Sequence, residues 1–454
     1  MPHGSALPDI VDLILAGNGP GELAGWIRPV ADAARRAGPP GLRVTLVLSP
    51  TQFAGGREPA VARSWGLFDR ILEPAEAVRV ALGLKPLDIV PQATVVHLGG
   101  DLWFSARLAR RLRVPACALV ETPLVARRHA AFETICATSE DLARRLVGLG
   151  VPAGKVVVTG DPRADALTGV LHAPSPSPSP RRGEGSQDRR GEGSQKAKGG
   201  GDDTLRDGWT TQMADAAHAE AGRAGDFGHE RESEVVSILP GSRDRFAREL
   251  VPFFLRAADA LAGLRPGVTF QVVASPFLSP ALVASLQRRV REGWPHLPVR
   301  WVAGEPWQSL RHSDLVLTIP GTNTMELALL GVPFAVIVPL DLIDRAPAEG
   351  LLEWASRLPG VGRLFKRAAA AWYFRRPRLV ALPNIRAVRA VVPEWVGRFS
   401  PADLARRVAD LLADRDRRAA ITADLRRLYP AEAGAADRVA ACALSLAAGS
   451  ERRP

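Results

Sequence analysis

Two glycine turns in the second half of the chain carry residue types that can hold phosphate. In Leu239–Arg243, "LPGSR", an apolar run ends at Pro-Gly and a helix-like run begins. Gly241 lets the main chain approach an anion closely, a helix start offers unpaired N–H groups, and Arg243 adds a two-pronged guanidinium. With Ser242 this is a diphosphate site in principle; an ordinary strand–helix turn with a solvated arginine explains it equally well. The second turn lies in Thr318–Pro333, "TIPGTNTMELALLGVP". It puts Gly321 and the hydroxyls of Thr322 and Thr324 at a helix start, with Glu326 one turn in. A carboxylate there can accept from vicinal ribose hydroxyls while the amides face phosphate. The plainer alternative is that a threonine caps the helix and Glu326 complements its dipole. That alternative weakens because both turns should share one rim of one sheet. A third segment, Leu382–Trp395, "LPNIRAVRAVVPEW", follows a strand-like "RLVALP". Asn384 could read a base or sugar there, and Arg389 could reach phosphate.

These turns need a scaffold, and the apolar pattern supplies one. "VDLILAG", "LRVTLVLSP", "ATVVHLGG", "PACALV", "FETICATS" and "KVVVTGDP" read as buried strands alternating with helical runs. Such alternation predicts a parallel sheet covered on both faces, a Rossmann-type domain over 8–171. The pattern restarts with "EVVSILP" and continues through "VTFQVVAS", "SDLVLTI" and "PFAVIVP", predicting a second such domain over 234–448. Two such units, with ligands held where strand C-termini meet a cleft, suggest a nucleotide-using α/β enzyme. Between them, 172–233 holds Pro-Ser alternation and two copies of RRGEGSQ, a composition that predicts disorder.

The net charge of +11 and pI near 10.5 suit anionic partners without choosing among phosphorylated metabolites, nucleic acid or membrane. Cys117, Cys136 and Cys442 have no metal-ligand spacing and read as core thiols of a reducing compartment. No signal peptide and no apolar run of spanning length is evident, which predicts a cytoplasmic protein with at most peripheral membrane contact.

Taken together, "LPGSR", "PGTNTMEL" and "LPNIRAVRAVVPE" resemble, in order, three motifs of the lipid-A-disaccharide synthase family, glycosyltransferases of GT-B fold. At the front, "AGNGPGELAG" and "TGDPRADAL" resemble two further family motifs. The resemblance implies transfer of an N-acylated glucosamine unit from a UDP-sugar to a lipid-linked sugar, with inversion and without metal or cofactor. It assigns the diphosphate to Gly241, Ser242 and Arg243, phosphate and ribose to Gly321, Thr322, Thr324 and Glu326, and completion of the donor pocket to Asn384 and Arg389. No nucleic acid is expected as partner.

Departures from the family gather in the first domain, on the expected acceptor side. The first-turn acids fall on Asn18 and Glu22, a tryptophan-rich stretch becomes "ETPLVAR", and a histidine becomes Asp161. Asp101, directly after the strand "TVVHLGG", is the leading candidate base, with Glu22 beside it and Glu121 and Asp161 behind. For each, a helix cap or solvated carboxylate is the competing reading. His97 lies inside an apolar strand and reads as a core histidine. The aromatic and basic stretch 351–379 suits an anionic membrane surface or, equally, a packed helix pair broken at Pro359 and Gly360. By analogy with GT-B folds, Asp437–Ala448 would cross back to the first domain. Competing functions are a UDP-N-acetylglucosamine 2-epimerase-like enzyme and an inactive nucleotide-sugar-binding protein.

Overall fold

Runs such as Leu13–Ala16 and Phe334–Val338 are apolar on both strand faces, which only a sheet covered by helices on both sides can bury. In the computed structural model they do so in two parallel sheets; the structure is described for residues 10–51, 55–171, 233–304, 306–343, 379–430 and 432–450. The first sheet holds β1 (Ile10–Gly17), β2 (Gly41–Leu48), β3 (Arg70–Leu72), β4 (Ala93–His97), β5 (Ala116–Val120), β6 (Thr134–Ala137) and β7 (Val156–Val158), in the order β3-β2-β1-β4-β5-β6-β7. The second holds β8 (Val235–Leu239), β9 (Thr269–Val273), β10 (Val299–Val302), β11 (Leu315–Thr318), β12 (Phe334–Pro339) and β13 (Glu394–Gly397), in the order β10-β9-β8-β11-β12-β13.

Both orders reverse once, between β1 and β4 and between β8 and β11. Ala16 pairs with His97 and Leu239 with Thr318, so the turns leaving those strands emerge side by side. A crevice opens there because the connections diverge to opposite faces.

Seven α-helices precede β8 among the described residues. Among them, α1 (Pro20–Glu22) runs through one π-helical turn (Leu23–Ile27) into α2 (Arg28–Ala37). The others are α3 (Glu58–Ser64), α4 (Pro74–Leu82), α5 (Leu102–Leu112), α6 (Glu140–Gly148) and α7 (Pro162–Leu171). Ser139 caps α6 by accepting from the Leu142 amide at 3.3 Å.

The cores are shared across the two sheets. Ala164 and Leu167 of α7 are buried in the core of the second sheet, beneath the helix Asn323–Leu330. The last helix, Ala435–Gly449, returns to the first sheet, where Val439, Ala440, Ala443 and Leu444 pack with Leu13, Leu15 and Ile27. Asp165 ties the two crossings together: its Oδ1 accepts from the Gly434 amide at 2.5 Å and its Oδ2 from Ala436 at 2.6 Å.

Two strands differ from the sequence reading. The short β3 lacks a long apolar run, and β13 begins at the end of the third motif, at Glu394, rather than preceding it. "RLVALP" was expected to be strand-like, but Leu379–Ala381 is irregular and Leu382–Ala387 is helical, started by Pro383 in its first turn. The expected insertion 172–233 and the aromatic and basic stretch 351–379 fall, apart from their end residues 233 and 379, outside the described residues. Among the described residues, no helix is long and apolar enough to cross a membrane.

Candidate functional site

The adjacent turns after β8 and β11 form one wall of a cleft of about 1660 Å³ between the sheets. Gly241, Ser242 and Arg243 line it together with Gly321, Thr322 and Glu326. Gly241 has φ 95°, and a Cβ there would lie 2.7 Å from Ile319 Cδ1, so both conformation and space call for glycine. Arg243 is extended and starts the helix Asp244–Leu264, with its guanidinium 5.8 Å from the Phe246 ring centre. Burial lowers the pKa of Arg243, against the charge of Glu58 from the first sheet's side.

Three other expected donor residues are placed elsewhere. Thr324 is buried, its Oγ1 donating to the Gly321 carbonyl at 2.7 Å and accepting from the Leu382 amide at 3.3 Å. Asn384 is fully buried and engaged internally. Its Nδ2 donates to Val392 O at 2.9 Å and Glu394 Oε1 at 2.7 Å, while its Oδ1 accepts from the amides of Val391 and Val392. Its amide therefore locks the third motif's own backbone, which leaves none of these groups facing the cleft. Arg389 is half exposed and paired with Asp424 at 2.9 Å, away from the cleft lining.

The opposing wall comes from the turn after β1, the helical run that follows it, and α7. Glu22 lines it, with Oε2 accepting from the amides of Asn18 and Gly19 at 3.0 Å each and Oε1 from Gly100 at 3.1 Å. Burial raises the Glu22 pKa and the Glu121 charge adds to this, while the three amides oppose it. Gly99 has φ 138°, and any Cβ there would collide with the Glu22 carboxyl. Asp101 is exposed and starts α5, its Oδ1 accepting from the Trp103 amide at 2.8 Å; the cap engages it, and it does not line the cleft. His97 is a core histidine: burial pushes its pKa down to about 4, against the charge of Asp101, and Nδ1 lies 2.9 Å from Ser105 Oγ.

The walls approach closely. A Cβ on Gly21 would lie 2.7 Å from Thr322 Cβ, and one on Gly25 would lie 2.7 Å from Arg163 Cγ and 4.0 Å from Glu326 Oε1. Arg163 and Trp26 are the residues that motif reasoning passed over. Arg163 follows the strand end "VVVTGDP", a position where side chains enter a crevice, and that was the available signal. The three cysteines, distant in sequence, pack into one core beneath the last helix.

The lipid-A-disaccharide synthetase family model matches residues 213–353. The lipid-A-disaccharide synthase of Anaeromyxobacter sp. (strain K) is 32% identical over 209 residues, 45% of this chain and 48% of that protein. That of Sodalis glossinidius is 29% identical over 221 residues, 48% of this chain and 51% of that protein. The chain thus matches about half the length of these curated relatives. Among solved structures, a putative UDP-N-acetylglucosamine 2-epimerase from Listeria monocytogenes aligns over 98% of both chains with TM-score 0.50 at 13% identity. That likeness is one of fold: two Rossmann-like sheets facing a cleft, the GT-B architecture.

Proposed function

We propose that the chain, which matches lipid-A-disaccharide synthases over about half its length, is an inverting glycosyltransferase. Its donor would be a UDP-sugar of the N-acylated glucosamine type, and its acceptor a lipid-linked sugar reached at the inner face of a membrane. The observation that carries this reading is the meeting of six donor-motif residues on two adjacent turns, directly across the cleft from Glu22.

In the proposed reaction the diphosphate lies against the amides of Gly241–Arg243 and the helix start at Gly321–Asn323, with Arg243 supplying charge. Glu326 receives the ribose hydroxyls. The acceptor oxygen bonds to the anomeric carbon from the face opposite UDP, the bond from that carbon to phosphate oxygen breaks, and the acceptor proton passes to the base. Charge on departing UDP is met by the amides and Arg243, so no metal or cofactor is assigned a step. Glu22 is favoured as the base because it lines the cleft, is held there by three backbone amides, and burial raises its pKa above the ordinary glutamate value. Asp101 is the second candidate, one residue beyond the Gly100 amide that holds Glu22.

A second reading has its own observation. Glu22 lines the first-sheet wall, Glu121 and Asp161 pair with the cleft-lining Arg163, and a UDP-N-acetylglucosamine 2-epimerase-like enzyme would need acidic groups around the donor sugar. Purified protein incubated with UDP-N-acetylglucosamine-type donors, with and without a lipid-linked sugar, separates the readings. UDP release that depends on the acceptor supports transfer. Epimerisation or UDP release without acceptor supports the second reading, and tight binding without turnover overturns both. Glu22→Gln should abolish transfer and Asp101→Asn should spare it; the reverse pattern moves the base to Asp101.

A further inference from the structure

The helix α5 and the 3₁₀ run Pro123–Ala131 leave the paired strands β4 and β5 at their C-terminal ends and pack against each other. Both start beside the cleft wall. Gly100, whose amide holds the cleft-lining Glu22, lies three positions before Trp103. Glu121, paired with the cleft-lining Arg163, lies three positions before Leu124. Phe104 and Val125, the next residues along each segment, are buried in one core, so both first turns are fixed to the sheet.

Trp103 and Leu124 themselves are left in solvent, 47% and 65% exposed. Each is backed by arginines. On α5, Trp103, Arg107 and Arg110 share one stripe at helical spacing, and the Arg107 guanidinium lies 5.9 Å from the Trp103 ring centre. In a 3₁₀ run residues three apart eclipse, which sets Arg127 in line with Leu124; Arg127 and Arg128 are both exposed. Among the described residues, none of these four arginines is in an ion pair. Of the carboxylates on these segments and on neighbouring α6, Asp101 caps α5, Glu121 pairs with Arg163, and Glu140 and Asp141 sit against Arg144. Glu133 lies beyond the far end of the 3₁₀ run. The exposed face is left basic. Single apolar residues on a surface need no explanation, but a tryptophan and a leucine on neighbouring first turns, each with unpaired arginines behind it, match the side-chain pattern of a lipid interface.

We propose that this rim is a docking surface for an anionic lipid bilayer. Trp103 and Leu124 enter the boundary between headgroups and acyl chains, while Arg107, Arg110, Arg127 and Arg128 meet lipid phosphates. A nucleic acid or an acidic protein would engage the arginines but give the exposed leucine nothing to enter. Seated in this way, the wall that carries Glu22 stands at the membrane surface, where a lipid-linked acceptor is held. The proposal deepens the acceptor side of the proposed reaction, but docking is measured without turnover, so the two can fail separately.

The test is co-sedimentation of the full chain with vesicles of equal parts phosphatidylglycerol and phosphatidylcholine, against phosphatidylcholine alone. With a net charge of +11, any basic segment draws the chain to anionic vesicles, so surface variants must discriminate. Arg127→Glu/Arg128→Glu should lower partitioning by at least about 25-fold, about fivefold for each basic charge lost. Trp103→Ser/Leu124→Ser should lower it by about tenfold, through lost apolar insertion. Every substituted side chain is exposed, so thermal unfolding of both variants should match the wild type. Vesicles with brominated acyl chains should quench a share of tryptophan emission that is missing in Trp103→Phe. Wild-type partitioning in either double variant overturns the proposal: kept by the serine pair, it marks a purely ionic surface, and kept by the glutamate pair, it marks another docking face. Lost vesicle binding with full turnover on a detergent-dispersed acceptor supports the docking surface. If the wild type shows no acceptor-dependent UDP release while vesicle binding behaves as expected, the transferase reading falls and the docking surface stands.

Discussion

Gly21→Ala tests whether the cleft works in the arrangement seen here. The added Cβ would lie 2.7 Å from Thr322 Cβ and 2.8 Å from its Cγ2. Ordinary carbon contacts need about 3.5–4.0 Å, so the two walls must part by about 1 Å or Thr322 must move. Overpacking of this kind costs about 1–3 kcal/mol. Charged against the close approach of the walls, that lowers its population by about 5- to 150-fold. Acceptor-dependent UDP release should fall by a similar factor, because donor and acceptor meet only when the walls meet. UDP affinity, read by calorimetry, should change little, since its proposed contacts lie on the second sheet's turns alone. Thr322→Gly removes every colliding atom and costs only a few tenths of a kcal/mol as a helix cap. Gly21→Ala/Thr322→Gly should therefore match Thr322→Gly alone. Wild-type turnover in Gly21→Ala, or no recovery in the double variant, would refute the steric argument.

Other outcomes can be stated more briefly. Arg243→Ala should weaken UDP binding by about 10- to 150-fold, the loss of a charge-assisted contact worth about 1.5–3 kcal/mol, and unchanged affinity in calorimetry removes the diphosphate assignment. Val388 is 85% exposed yet sits at φ 53°, a left-handed conformation that glycine adopts without strain, so Val388→Gly should raise stability by about 1 kcal/mol in denaturant unfolding. His97 has its folded pKa depressed to about 4, so the unfolded chain binds the extra proton first on acidification. Stability should be complete above about pH 6.5 and fall by up to about 3 kcal/mol toward pH 4, a loss that His97→Gln should lack in unfolding followed against pH.

What was legible in the sequence follows the range of the physics. Apolar runs on both strand faces announce buried parallel strands locally, so the long strands and the α/β class could be read directly. The two glycine turns were legible as turns because Gly241 and Gly321 each stand where an apolar strand run gives way to a helical one, and both line the cleft. Asn384 was misleading: a buried amide that locks its own backbone and one that reads a ligand use the same residue type. Arg163 was hidden because its partners, Glu121 and Trp26, lie 42 and 137 positions away, and only the fold joins them. Asp101 outranked Glu22 on strand position alone, whereas three backbone amides converging on Glu22 cannot be seen in a sequence.

The pairing of Asp165 with the start of the last helix has a mechanical meaning. The chain passes from one sheet to the other at α7 and returns at Gly434, and a single carboxylate pins the outgoing path to the returning one. Two links fastened side by side behave as a pivot: they resist sliding and twisting but permit rotation about the line through them. Opening of the cleft should therefore be a one-axis swing, with little travel near Asp165 and the most at the far rim. A substrate too bulky to thread the gap would then enter from that rim.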